Sequence, residues 1–146
     1  MKNYLFLFLL ILISSGAMAQ EEVPIEASAV PAKVMQKFKS MFPDKKDVSW
    51  SRVGTDYYAE FGEAGEGTSV LFDAAGNWQE TEMEMNKKDL PAKIVERLNL
   101  KYPGLLLMGA KKTVSANEPT LYEVDFNYKG KQYYMMLDET GNVLTD

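Results

Sequence analysis

Val30-Pro31-Ala32-Lys33-Val34 and, further along the chain, Leu90-Pro91-Ala92-Lys93-Ile94 open two stretches of the same kind. Each begins apolar-Pro-Ala and runs to an aromatic-proline stop, Phe42-Pro43 in the first and Tyr102-Pro103 in the second. Proline suits the first helical position, where its missing N–H has no partner to lose, and it halts a helix that arrives from upstream. Val30, Val34, Phe38 and Phe42 recur at spacing four with Met35 and Met41 beside them, while Lys33, Lys37 and Lys39 take the other side. That is the stripe of a core-facing helix. The doubling predicts two copies of one small module, residues 30–85 and 90–146, joined by residues 86–89.

After each helix the period changes to alternation. A two-residue turn at Lys129-Gly130 pairs Tyr128 with Lys131, and hence Phe126 with Tyr133, Val124 with Met135 and Tyr122 with Leu137 on one face. The other face then carries Glu123 with Met136, Asp125 with Tyr134, and Asn127 with Gln132. The corresponding positions of the first copy give Tyr57 with Phe72, Ala59 with Val70 and Phe61 with Thr68 around Ala64-Gly65, with Tyr58–Leu71 and Glu60–Ser69 behind. A one-residue slip would send the apolar set to solvent, so agreement between the copies supports this register.

Each hairpin ends in the same turn, Asp73-Ala74-Ala75-Gly76-Asn77 and Asp138-Glu139-Thr140-Gly141-Asn142. Asp73 and Asp138 read as acceptors for the turn's own amides, and Gly76 and Gly141 as left-handed positions. Further strands follow the turns, Trp78–Met85 and Val143–Thr145, and others precede the hairpins, Val48–Val53 and Leu106–Val114. By parity Trp78 faces away from Met83 and Met85, which requires an exposed residue or a bulge. The expected fold is α+β: two α-β-β-β-β repeats whose antiparallel meanders join into one eight-stranded sheet, with one helix per repeat on a single face. The alternative is two four-stranded sheets packed face to face. A lone module of about 60 residues is marginal without a staple, so the repeats are expected to form one compact domain.

Ahead of the repeats, Lys2, the apolar run Tyr4–Ile13 and the small-x-small site Ala17-Met18-Ala19 read as a signal peptide, residues 1–19, removed on export. The apolar run is shorter than the roughly 20 residues that cross a bilayer, so the mature chain is expected to be periplasmic or secreted, without membrane insertion. Residues 20–29 are polar and acidic and read as a flexible leader. The chain has 16 basic and 21 acidic residues, and Lys45-Lys46, Lys87-Lys88 and Lys111-Lys112 are isolated pairs rather than a basic track. Nucleic acid is therefore not an expected partner.

The helices that open on apolar-Pro-Ala, the Val48-Ser49-Trp50 strand, the strands Tyr57-Tyr58-Ala59-Glu60-Phe61 and Tyr122-Glu123-Val124-Asp125-Phe126, and the paired Asp-x-x-Gly-Asn turns together resemble the PepSY-like, β-lactamase-inhibitor-like tandem-repeat proteins of Gram-negative envelopes. The resemblance runs from Val30 onward and lies in the order and duplication of the motifs. It implies an exported, non-enzymatic module similar in plan to an inhibitor that grips its target with one sheet face. PepSY domains elsewhere accompany peptidases and restrain them, which implies regulation of a periplasmic peptidase or similar enzyme. The family offers no catalytic residue to carry over.

The residues themselves leave little chemistry. With no histidine and no cysteine, thiolate and imidazole sites cannot form, and no metal or cofactor is expected. Glu80, Glu82 and Glu84 alternate along one strand as a possible ladder for a hard cation, read here as a solvated face that deters edge pairing. Glu60 and Asp125 hold equivalent positions and would suit a glycan hydrolase only at a separation of roughly 5–10 Å. Gly62, Gly65 and Gly67 join two strands and are turn glycines rather than a phosphate loop.

The register puts Tyr58, Leu71, Tyr134 and Met136 among Glu60, Glu123 and Asp125 on the face away from the helices. Aromatics in a polar surround are the composition of a protein-binding patch. These seven residues, with Trp50 or Trp78 as possible additions, are the candidate contact with a protein or peptide in the periplasm. The other functional class is a structural or ligand-carrying envelope protein without inhibitory activity.

Overall fold

The computed structural model describes residues 21–63 and 66–145. The expected signal peptide and cleavage site, the expected turn at Ala64-Gly65, and Asp146 lie outside the described residues. In chain order the elements are β1 (Glu22–Ile25), α1 (Ala32–Met41), β2 (Ser49–Val53), β3 (Asp56–Phe61), β4 (Thr68–Phe72), β5 (Trp78–Glu84), α2 (Ala92–Lys101), β6 (Leu106–Ser115), β7 (Leu121–Tyr128), β8 (Lys131–Asp138) and β9 (Val143–Thr145). Single 3-10 turns at Ala27–Ala29 and Lys87–Asp89 lead into the helices. All the strands pair antiparallel in sequence order, making one nine-stranded meander, so the face-to-face alternative is excluded.

The ninth strand is a correction. Glu22–Ile25, read as flexible leader, pairs with β2 in the register Val23–Arg52 and Ile25–Trp50. Its polar composition and Pro24 hid it, yet proline is tolerated on an edge strand when its nitrogen faces away from the ladder.

Both proline-led helices form, one position later than expected. Pro31 and Pro91 are N-caps at φ −55° and −52°, and their carbonyls accept from Met35 N–H at 3.0 Å and Val95 N–H at 3.2 Å. Phe42 and Tyr102 close the helices by donating backbone N–H to Phe38 and Leu98, and their φ near −130° shows the following proline forcing them out of the helical region.

Each helix has its own core. Under α1, Val34 and Phe38 pack on Trp50, Ala59, Phe61, Val70 and Phe72; under α2, Ile94 and Leu98 pack on Val124, Phe126, Met135 and Leu137. Phe38 meets Trp50 and Phe61 edge-on at 5.2 and 5.7 Å, and Tyr102 lies 5.0 Å from Phe126. The copies meet through the β5–β6 ladder, Glu80–Ser115 to Glu84–Lys111, and through Met85, which packs on the second core.

The two hairpins have the registers expected from parity, Tyr57–Phe72 to Phe61–Thr68 and Tyr122–Leu137 to Tyr128–Lys131. The Trp78 conflict is resolved by a bulge: Phe72 pairs with Trp78 and Leu71 with Glu80, leaving Gln79 as the extra residue. Trp78 therefore joins the first core, and its Nε1–H donates to Thr81 Oγ1 at 2.8 Å.

The repeated turns dock on the helices. Asp73 Oδ1 accepts from the amides of Ala75 and Asn77, both at 2.9 Å, and Asp138 Oδ1 accepts from those of Thr140 and Asn142 at 2.9 Å. Hydrogen bonds from Asn77 hold the Asp73 carboxyl below its ordinary value, and bonds from Thr140 and Asn142 draw Asp138 down to about 2. Gly76 (φ +87°) lies against the Lys33 backbone and Gly141 (φ +85°) against that of Lys93, so each turn presses on the first turn of its helix.

Candidate functional site: the open face of the sheet

Both helices cover one face, and among the described residues no helix lies over the other. Reading across paired strands, the first copy sets Ser51, Tyr58, Leu71 and Glu80 side by side, and beneath them Glu60, Ser69 and Glu82. The rows cross the seam from Glu82 to Thr113 and from Glu84 to Lys111, Glu123 and Met136. Asp125 and Tyr134 form the next row. All seven candidate contact residues thus lie on the open face, in two groups: Tyr58, Leu71 and Glu60 in the first copy, and Glu123, Asp125, Tyr134 and Met136 in the second. Trp50 and Trp78 do not join them, because both pack in the first core.

Exposure divides the set further. Tyr58 is only 7 % exposed, and burial with the Glu80, Asp56, Glu22 and Glu82 charges pushes its hydroxyl up to about 12. It is a floor residue and not a contact. Tyr134, by contrast, is 57 % exposed, and Leu106 and Met108 on the same face are 63 % and 52 % exposed. Met108 is displaced by a bulge, since Leu107 pairs with Phe126 and Gly109 with Asp125. Met108, Glu84, Lys111, Glu123, Asp125 and Tyr134 line a groove of about 780 Å³. Leu106 and Met108 were missed from the sequence. The alternation there gave a strand, and nothing in Leu105-Leu106-Leu107-Met108 marks where the bulge turns one residue outward.

The face is acidic and partly desolvated. Burial raises the carboxyls of Glu60, Glu80 and Glu123 above their ordinary values, with the Glu22 and Glu82 charges adding to Glu60. Lys111 sits among them, its Nζ 3.0 Å from Glu82 Oε1. Burial opposes its charge, but Glu82, with Glu123 and Glu84 behind, outweighs that and holds the ammonium above its usual value.

The glutamate ladder occupies the central strand of the sheet, so it guards no edge, contrary to the sequence reading. Each member has a protein partner: Ser115 Oγ–H donates to Glu80 at 3.0 Å, Lys111 pairs with Glu82, and Gly67 N–H donates to Glu84 at 3.3 Å. Among the described residues no group of carboxylates converges as a metal site. Glu60 and Asp125 lie four strands apart, roughly 19 Å along the sheet at about 4.8 Å per strand, beyond the reach of a glycosidase pair.

The family model described as "Putative beta-lactamase-inhibitor-like, PepSY-like" matches residues 17–66 and 55–145. The chain belongs to this PepSY-like family. Among solved structures, a BLIP-like protein from Bacteroides fragilis is similar at 26% identity and a TM-score of 0.66, over 79% of this chain and 84% of that one. A DUF2874 family protein from Bacteroides uniformis shares the fold at 21% identity and a TM-score of 0.69, over 79% and 86%. So does one described as "putative periplasmic proteins" from Bacteroides eggerthii, at 18% identity and a TM-score of 0.70, over 80% and 86%. No protein of curated function matches the sequence. The family description names no reaction. No helix among the described residues of this PepSY-like chain is long and apolar enough to cross a membrane.

Proposed function

We propose that this PepSY-like chain is an exported, non-enzymatic binding module that holds a protein partner on its open sheet face and regulates a periplasmic peptidase or similar enzyme. The observation that carries the reading is the exposed end of that face, where Tyr134 and Met108 line a groove with Glu84, Glu123 and Asp125, Leu106 stands exposed beside them, and no helix lies over them among the described residues. Exposed aromatic and apolar anchors ringed by carboxylates are the make-up of an interface centre and its polar rim. The signal-peptide pattern at residues 1–19 supports export, and the description of the Bacteroides eggerthii protein supports the compartment.

Titration of periplasmic peptidases and β-lactamases with the purified protein tests it. Saturable inhibition of one of them, weakened about tenfold or more by Tyr134→Ala with Met108→Ala, is the expected result for two interface anchors. Inhibition untouched by that pair would remove the exposed end of the face as the contact, and no inhibition across the panel would overturn the regulatory role.

A further inference from the structure

Among the described residues, the second hairpin leaves part of an edge bare. Lys129 and Gly130 have φ +51° and +78°, the type I′ turn that two-residue hairpins favour. Tyr128 and Lys131 close it, so along β8 the backbone groups of Lys131, Tyr133 and Met135 point to β7, and those of Gln132 and Tyr134 point away. Strand β9 covers only the far end, pairing Met136 with Thr145 and Leu137 with Val143. In the first copy the equivalent strand is covered throughout, with Thr68, Ser69 and Val70 opposite Met83, Glu82 and Thr81. The matching residues of the second copy, Tyr133, Tyr134 and Met135, have no strand beside them among the described residues.

We infer that this edge accepts an extended segment of another protein, alternating apolar with basic residues, as an added antiparallel strand. The first copy shows what covers the place: an antiparallel strand whose side chains alternate between the two faces. The surroundings set its composition. On the helix face Tyr133 stacks on Phe126 at 5.3 Å and 11°, so residues opposite Tyr133 and Met135 extend an apolar cluster. On the open face Gln132 Nε2–H donates to Asp125 at 3.1 Å and to the Tyr134 hydroxyl at 2.6 Å. A lysine or arginine opposite Tyr134 meets an exposed ring with a carboxylate behind it. The opposite edge of the sheet is blunted, since Pro24 takes an amide from four-residue β1. This edge is a separate surface from the exposed end of the open face, apart from Tyr134, which belongs to both.

The test uses a blocked peptide alternating valine with lysine, titrated into the labelled full mature chain and followed by amide NMR. In the inferred pairing the lysines lie opposite Gln132 and Tyr134, so the lysine amides bond to β8 and the valine amides face solvent. N-methylation of the lysine amides should weaken binding about tenfold or more, while N-methylation of the valine amides should leave it unchanged. Binding should also protect the Gln132 and Tyr134 amides from exchange. In Tyr134→Pro, which removes an outward amide and no β7 bond, it should be lost. Equal affinity of the two methylated peptides would overturn the inference, as would concentration-dependent dimerisation that blocks peptide, since a second copy would then be the occupant.

Discussion

Three glycines with left-handed backbone provide a graded test of how the turns dock on the helices. At Gly130 (φ +78°) an added Cβ meets nothing within 4 Å; at Gly141 it meets Lys93 O at 3.1 Å; at Gly76 it meets the Lys33 carbonyl carbon and oxygen, both at 2.8 Å. The left-handed conformation costs an L-residue about 1–2 kcal/mol at all three. Steric overlap is added only where a neighbour is too near, and overpacking costs about 1–3 kcal/mol. Lys33 presents backbone inside α1, which cannot swing aside as a side-chain end does. Gly130→Ala should therefore lose about 1–2 kcal/mol, Gly141→Ala slightly more, and Gly76→Ala about 2–5 kcal/mol. In urea, with a slope of about 2 kcal/mol per molar, the Gly76 and Gly130 variants should differ in midpoint by about 1 M. If Gly76→Ala proved no worse than Gly130→Ala, the close approach of turn to helix would be refuted, and the glycine would be serving backbone conformation alone.

The open-face carboxylates predict a pH profile. Glu60, Glu80 and Glu123 have raised folded values, so they bind protons more tightly folded than unfolded, and stability should be lost as pH rises through the carboxylate range towards 7. Asp73 and Asp138 work in the opposite sense: their contribution is complete above the ordinary aspartate value and is lost as pH falls, for Asp138 towards about 2. Urea midpoints should therefore peak in mildly acid buffer, and a steady rise from there to pH 7 would contradict the burial of the three glutamates. Lys111→Ala should cost about 1 kcal/mol at neutral pH and less in acid, because it leaves Glu82 and Glu123 without their cation; equal losses at both pH values would argue against the pairing. Phe126→Ala, at the centre of the second core, should cost about 3–5 kcal/mol in the same assay, whereas Leu100→Ala on the exposed side of α2 should stay within about 0.5 kcal/mol.

The hairpin registers were legible because parity is a strict constraint: once Lys129-Gly130 is a turn, every opposite pair to Tyr122–Leu137 follows. The same arithmetic exposed the Trp78 conflict, and the bulge at Phe72 is its resolution. Strand β1 was hidden because its pairing with β2 depends on backbone geometry more than on its own residues, which read as polar leader. The candidate face was found, but its depth was not. That Tyr58 lies sunken while Tyr134 stands exposed is a matter of tertiary packing, which parity along a strand does not carry. Met108 was beyond reach for a related reason: an irregularity in a ten-residue alternating strand leaves no mark in composition.

The order β1 to β9 means that every strand's partner is the one made just before or just after it. No ladder has to wait for a distant part of the chain, so loop-closure entropy is met in small instalments and assembly should be fast for so sheet-rich a protein. A chain that emerges end-first can zip up in that order, each new hairpin finding its template already in place.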